Sequence, residues 1–248
     1  MSTLSLSVAA AAAAAVEVER AAAVLKEAIH GGKVQHPDGS WRDVKANISA
    51  PNSEALSKFV RSHRPQLVIE IGMAYGVSTL TILHALRCEG RGRLVSIDPY
   101  IGWPSGRAVA LHQVQRAGVN DIHEHIAECS HVALPKLLQQ GVRPDLVYID
   151  GFHNFDYAFT DFFFADKLLG PGGIVAFNDA GWRSVFKVIR FLQSYRRYRE
   201  IDVGLPKRYT ARNSLFSLVK RLEGRSSNDR YFEKVENWEP PSGFHRGF

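Results

Sequence analysis

In the stretch EIGMAYGVST an acid, Glu70, ends an apolar run, Gly72 and Gly76 follow at G-x-x-x-G spacing, and Ser78 and Thr79 open the next apolar run. Each residue type has a use at a ligand. Glycines let the backbone take a positive φ or approach a ligand closely, and a helix opened by Ser78 and Thr79 presents an N-terminus that favours an anionic group. Two further runs end in acids, RLVSID in Asp98 and DLVYID in Asp150. A carboxylate at Asp98 can accept from two adjacent hydroxyls at once. A fourth run, GIVAFND, ends in Asn178 and Asp179, and His153 stands three residues past Asp150. Asn and Asp side chains offer oxygen donors, and a histidine titrates near neutrality.

Chemistry at the ends of runs needs a scaffold that brings those ends together. From Gln66 onward, short apolar runs alternate with helical patterns: strand QLVIEI, helix STLTILHALR, strand RLVSID, a helix near AVALHQVQRA, strand IHEHIA and helix HVALPKLLQQ. The alternation continues with strand DLVYID, helix FDYAFTDFFFADKLL, strand GIVAFND and helix SVFKVIRFLQSYRR. This predicts an α/β fold: a doubly wound, Rossmann-like, mostly parallel sheet with helices on both faces. In such sheets ligands bind beyond the carboxyl ends of the strands, where the winding reverses. YREIDVG and SLFSLVKR, joined by a loop alone, predict a C-terminal antiparallel strand pair. Upstream, MSTLSLSVAAAAAAAVEVER begins an Ala-rich helix running to about Ile29 and ended by Gly31 and Gly32. Polar, turn-rich GGKVQHPDGSWRD follows, then a helix from Ser53 to His63 with Asn52 or Ser53 as cap and Pro65 as stop.

EIGMAYGVSTL followed by VSIDPY resembles motif I and its successor in class I S-adenosylmethionine-dependent methyltransferases. The resemblance implies S-adenosylmethionine as cofactor. Glu70 would orient its methionine amino end, Gly72, Gly76 and Ser78 would form the turn beneath it, and Asp98 would bind both ribose hydroxyls. IAECSHVALPKL resembles the segment that lines the adenine, which places Cys129 and Ser130 near the base. A dinucleotide site would want G-x-G-x-x-G, which this turn lacks.

DLVYIDGFHNFDYAFTDFFFADKLLGPGGIVAFNDAGW resembles the later motifs of a methyltransferase subgroup with D-G-x-H, L-x-P-G-G and an acidic pair after the next strand. The subgroup includes macrolide-sugar O-methyltransferases and cephalosporin-hydroxylase-like proteins, some of which hold magnesium there. The resemblance runs from about Ile48 to Val188. It implies Asp150, Asn178 and Asp179 as metal ligands, His153 with Asp150 as the catalytic pair, His153 being the general base, and Asp150 also at the cofactor. The chain departs from the pattern at Asn178, where an acid is common: an amide still coordinates, but the site loses one negative charge. Two plainer readings stay open, in which these residues line the acceptor pocket or cap a helix, and His153 is a histidine satisfied by neighbouring carboxylates.

The expected division is residues 1–47 as an N-terminal helix and lid or linker segment, 48–222 as the methyltransferase catalytic domain, and 223–248 as a polar tail or flap. The expected activity is methyl transfer to a hydroxyl of a small molecule, a sugar or natural product. Two alternatives stand beside it: an NAD(P)-dependent oxidoreductase that would also use Asp98, and a noncatalytic protein that binds a nucleoside cofactor.

Composition narrows the partners. Lys and Arg number 31 against 25 Asp and Glu, but the excess is spread out, and the densest basic run, Arg183 to Arg199, has the pattern of a solvated helix face. No nucleic acid is expected. No apolar run approaches the roughly 20 residues needed to span a bilayer, and the opening segment lacks the basic start of a secretory signal. Two cysteines, Cys88 and Cys129, make neither a disulfide framework nor a zinc spacing, so a reducing cytoplasm is the simplest compartment. The Ala-rich helix has three uses open to it: packing on the domain, covering the site, or pairing with a second chain as a homo-oligomer. Of the aromatics, Phe152 and Phe155 flank the expected base and are candidates for an acceptor wall, while Trp103 is open to either a ligand or a packing role.

Overall fold

Leu67–Ile71 (β3) is buried at all five positions, as a strand covered by helices on both faces must be. Its start is fixed by a distant acid: Asp145 Oδ2 accepts from the backbone N–H of Gln66 at 2.6 Å and of Leu67 at 3.0 Å. The computed structural model describes residues 3–44, 48–206 and 228–247. Besides β3, the main sheet contains Arg93–Ile97 (β4), His123–Ile126 (β5), Leu146–Ile149 (β6), Ile174–Phe177 (β7), Tyr198–Ile201 (β8) and Arg230–Lys234 (β9). Its seven strands lie in the order β5-β4-β3-β6-β7-β9-β8. β3, β6 and β7 run parallel, whereas β9 is antiparallel to both β7 and β8. The chain steps outward from β3 through β4 to β5 and then returns to β6 on the other side of β3. The winding therefore reverses between β3 and β6, where a doubly wound sheet places its ligand.

The chain divides into two compact units. The first comprises Met1–Pro65, Met73–Ser96 and Tyr100–His125. Here the helix Thr3–Ile29 (α1) packs on Val77–Glu89 (α3) and Pro104–Ala117 (α4). Glu27 Oε2 pairs with Arg116 at 2.8 Å, and Glu17 Oε2 with Arg87 at 3.1 Å. Of the three uses open to this helix, packing on its own domain is the one seen. Ala50–His63 (α2) also lies on α3. It starts three residues before the expected Ser53, because Ser49 is the N-cap and accepts from Asn52 N–H at 3.3 Å. Pro51 in the first turn loses nothing there, since those N–H groups have no helical acceptor. A second departure is a hairpin, Lys33–Gln35 (β1) with Trp41–Asp43 (β2), inside the segment expected to be turns alone. Each strand has three residues, of which only Val34 is buried, so alternation had nothing to show.

The second unit comprises Gln66–Gly72, Ile97–Pro99 and Ile126–Phe248, and it holds β3 and β6 to β9 with helices Ser130–Gln139 (α5), Phe155–Leu168 (α6) and Arg183–Tyr195 (α7). Its core is built on Ile69, Tyr148, Phe162, Phe177 and Phe232, all buried. A buried ionic knot ties the end of α6 to the antiparallel strands. Asp166 takes Arg196 at 2.7 Å, Lys234 at 3.1 Å and the Tyr198 hydroxyl at 2.8 Å, while the Lys234 ammonium also donates to Leu169 O at 3.0 Å. A cation over the last carbonyls of a helix opposes its dipole favourably. The antiparallel pair expected at the C-terminus is present, but its second strand is RYFEK, residues 230–234, within the segment expected as a tail; SLFSLVKR lies outside the described residues. No described helix is long and apolar enough to cross a membrane.

Candidate active site

Four strand ends of the second unit are zipped together one residue past the strands themselves. Gly72 N–H donates to Ile97 O at 2.9 Å, Asp150 N–H to Ile71 O at 2.8 Å, Asn178 N–H to Ile149 O at 3.0 Å, and Asp98 N–H to Ile126 O at 3.2 Å. This lines up the residues expected to act: Glu70 on β3 and Gly72 after it, Asp98 after β4, Asp150 after β6, Asn178 and Asp179 after β7. Glu70 is fully buried, in register with Tyr148 of β6.

Gly72 explains itself at this edge. Its φ is 89°, and a Cβ there would lie 2.2 Å from Asp150 O and 2.9 Å from Gly151 Cα. The bare backbone expected for a ligand is required first by the neighbouring turn. The turn of β3 and the turn carrying Asp150 are thus in contact, backbone to backbone. In the first unit, Gly76 caps α3 with φ 82° and no side-chain hydrogen bond, and Ser78 is buried in the helix's first turn. There Trp103 packs edge-on to Tyr75 with ring centroids 4.7 Å apart, and the Tyr100 hydroxyl donates to Ala74 O at 2.6 Å, a packing role for Trp103.

His153 lies between two carboxylates, its Nε2 3.7 Å from Asp150 Oδ1 and 3.5 Å from Asp179 Oδ2, and makes no hydrogen bond to either. Burial lowers its pKa, and the Asp179 charge acts in the opposite sense with less weight. The imidazole is therefore neutral at neutral pH while a carboxylate waits beside it. Asp150 is pushed well above the ordinary carboxylate range, by burial first and then by Asp229, Asp179 and Glu70. Asp179 itself sits in the left-handed region at φ 51°, a conformation aspartate tolerates better than most residues. Trp182 faces the imidazole with ring centroids 5.1 Å apart. Phe152, next to His153 in sequence, and Trp182 are exposed by 69% and 53%, large rings left open to solvent.

Asn178 is held through its amide nitrogen. Its amide Nδ2 donates to Asp229 Oδ1 at 2.9 Å and lies 3.3 Å from the Tyr148 hydroxyl, which itself donates to Asp229 Oδ2 at 2.8 Å. Asp229 is buried, and its pKa is raised to about 7 by burial, against the pull of these two donors. Asp150 and Asp179 offer hard oxygens, and the contact to Asp229 uses the NH₂ of Asn178, not the amide oxygen through which it would coordinate. Among the described residues no group of three or more His, Cys, Asp or Glu is placed to hold a metal ion.

Cys129 and Ser130 open α5, Cys129 as the N-cap without a side-chain hydrogen bond and Ser130 with its hydroxyl donating to Asp161 of α6. Neither Asp229 nor Asp161 was found from the sequence. Asp229 leaves no local signal, since Asn178 is 51 residues away. Asp161 does leave one: an acid on the core-facing side of an aromatic helix, between buried Ala158 and Phe162.

Residues 69–180, which carry every expected site residue, match the family model Methyltransf_24, a methyltransferase domain. No curated protein matches the chain. Among solved structures it is similar to cofactor-bound Rv0187 from MTB, with a TM-score of 0.63 at 17% identity, covering 88% of this chain and 90% of that one. It is similar also to the O-methyltransferase TomG from Streptomyces achromogenes, involved in tomaymycin synthesis and in complex with SAM, with a TM-score of 0.57 at 21% identity over 76% of this chain and 82% of that one. A third is the O-methyltransferase from Bacillus cereus in complex with SAH, with a TM-score of 0.61 at 14% identity over 89% and 91%. The sheet order and these likenesses show a doubly wound, Rossmann-like fold, within which residues 69–180 match a methyltransferase domain.

Proposed function

We propose that the chain is an S-adenosylmethionine-dependent methyltransferase acting on an oxygen, the hydroxyl of a small molecule such as a sugar or natural product. The observation that carries this is the place of His153: a neutral, half-buried imidazole 3.5 Å from Asp179, on a turn whose backbone touches Gly72 of the glycine turn. The turn that carries the base is thus packed directly on Gly72. The likeness to O-methyltransferases solved with SAM and SAH supports the donor.

The residues fit that donor. S-adenosylmethionine supplies a methyl group on a positively charged sulfonium. Glu70 and Asp150 repel one another in a buried setting, and a cationic ligand relieves that repulsion. Glu70 takes the amino end, Asp98 the ribose hydroxyls, Cys129 and Ser130 the adenine side, and Gly76 and Ser78 keep the roles given by the resemblance. As the acceptor oxygen bonds to the methyl carbon and the carbon–sulfur bond breaks, His153 Nε2 receives the hydroxyl proton and Asp179 stabilises the imidazolium. Were magnesium bound, Asp150, Asp179 and the amide oxygen of Asn178 would be its ligands, and it would lower the pKa of the acceptor hydroxyl. The free thiols Cys88 and Cys129 accord with action in a reducing cytoplasm.

The test is transfer of isotope-labelled methyl from S-adenosylmethionine to a panel of hydroxylated acceptors, read by mass. Labelled ether products support the reading, and label found only on nitrogen acceptors overturns its oxygen half.

A further inference from the structure

Asp161 is a buried charge for which the fold has no evident need. It is 1% exposed on α6, and burial raises its pKa to about 6. One of its oxygens, Oδ1, is buried without a hydrogen-bond partner among the described residues. The other, Oδ2, lies 3.3 Å from the point where a Cβ on Gly151 would be, so it sits directly beneath the turn between Asp150 and His153. The same carboxylate accepts the hydroxyl of Ser130, the first residue of α5. One side chain therefore touches two turns at once, that of Cys129 and Ser130 and that of Gly151.

Stability does not account for it. A half-satisfied carboxylate in an apolar setting costs free energy, and an apolar side chain of similar shape in its place is commonly neutral or stabilising. What the carboxylate does supply is a fixed partner for an otherwise rotatable hydroxyl. It also supplies a negative charge at an N-terminal helix turn whose cap residue makes no side-chain hydrogen bond.

We infer that Asp161 is a positioning residue for the adenosine end of the cofactor: it fixes the Ser130 hydroxyl and the first turn of α5 against the Gly151 turn. The inference rests on the methyltransferase reading above. It extends the site to a residue that touches no ligand.

The test is calorimetric titration with S-adenosylhomocysteine, paired with thermal unfolding, of the unmodified protein, Asp161→Leu, Asp161→Asn, Ser130→Ala and Asp161→Leu/Ser130→Ala. Asp161→Leu is expected to unfold no earlier than the unmodified protein while its Kd rises about tenfold, the scale of one lost hydrogen bond to a ligand. Ser130→Ala should lose the same, and the double variant no more than either single one, since the two act as a unit. Asp161→Asn keeps an oxygen for Ser130 and should recover most of the affinity. A folded Asp161→Leu that binds like the unmodified protein, or two losses that add, overturns the inference alone. Were Asp161→Leu not to fold, unchanged affinity in Ser130→Ala would overturn it equally. Absence of binding by the unmodified protein overturns the donor reading and the inference together.

Discussion

The amide nitrogen of Asn178 lies 2.9 Å from Oδ1 of Asp229, so a neutral donor and a carboxylate share one buried contact behind the candidate site. A carboxylate at 229 needs a donor at 178. Asn178→Asp would set two buried carboxylates against each other and is expected to cost about 3 kcal/mol or more, as breaking buried polar pairs does. Asn178→Asp with Asp229→Asn reverses donor and acceptor and should recover most of that loss in chemical denaturation. A swap no more stable than Asn178→Asp would mean that the contact does not set the residue at 178.

Asp229 also gives stability a direction with pH. Its pKa rises from the usual 3.8 to about 7 in the folded protein, so between those values the folded state holds a proton that the unfolded state has released. Its contribution to stability therefore falls as pH rises through that window and is level above it. At roughly 1.4 kcal/mol per pKa unit the upper bound is about 4 kcal/mol. Asp229→Asn should flatten the curve of melting temperature against pH, leaving the slopes of the same sign from Asp161 and Asp150. Parallel curves for the two proteins would contradict the assignment.

The two glycines of EIGMAYG are expected to respond differently to alanine. At Gly72 a Cβ would meet the backbone of Asp150 and Gly151 under 3 Å, which no side-chain movement relieves. Gly72→Ala should be destabilised by more than about 3 kcal/mol, in the range of severe overpacking with backbone strain. At Gly76 the nearest atoms are 3.5 Å away and only the positive φ is costly, about 1–2 kcal/mol. Equal losses in urea unfolding would show that contact with the Asp150 turn is not what demands Gly72.

His153→Ala removes the proposed base but none of the residues proposed to hold the donor. Turnover should fall by about 10²-fold or more while the Kd for S-adenosylhomocysteine stays unchanged. A fall much below that would leave His153 the plainer role of a histidine satisfied by Asp150 and Asp179.

Much of this was legible because it repeats locally. Strand and helix periods from Gln66 to Tyr195 are long enough to read, and the acids Glu70, Asp98 and Asp150 stand where each strand stops. What was missed depends on contacts far along the chain. Asp229 and β9 acquire meaning only against β7, and the hold of Asp229 on the Asn178 amide nitrogen has no trace in the local sequence. The β1–β2 hairpin is too short and too exposed to leave a pattern. Asn52 and Ser53 offer the same capping chemistry as Ser49, so the sequence alone does not choose among them, and Pro51 sits in the first turn, which accepts proline.

The central claim is that the edge formed by Glu70, Gly72 and Asp98 holds S-adenosylmethionine. Its most direct measurement is calorimetric titration of the purified protein with S-adenosylhomocysteine, with NADH in a parallel cell. Saturable binding of S-adenosylhomocysteine and none of NADH is the predicted result. Binding of NADH alone would contradict it, and with it the roles proposed for His153, Asp150 and Asp179.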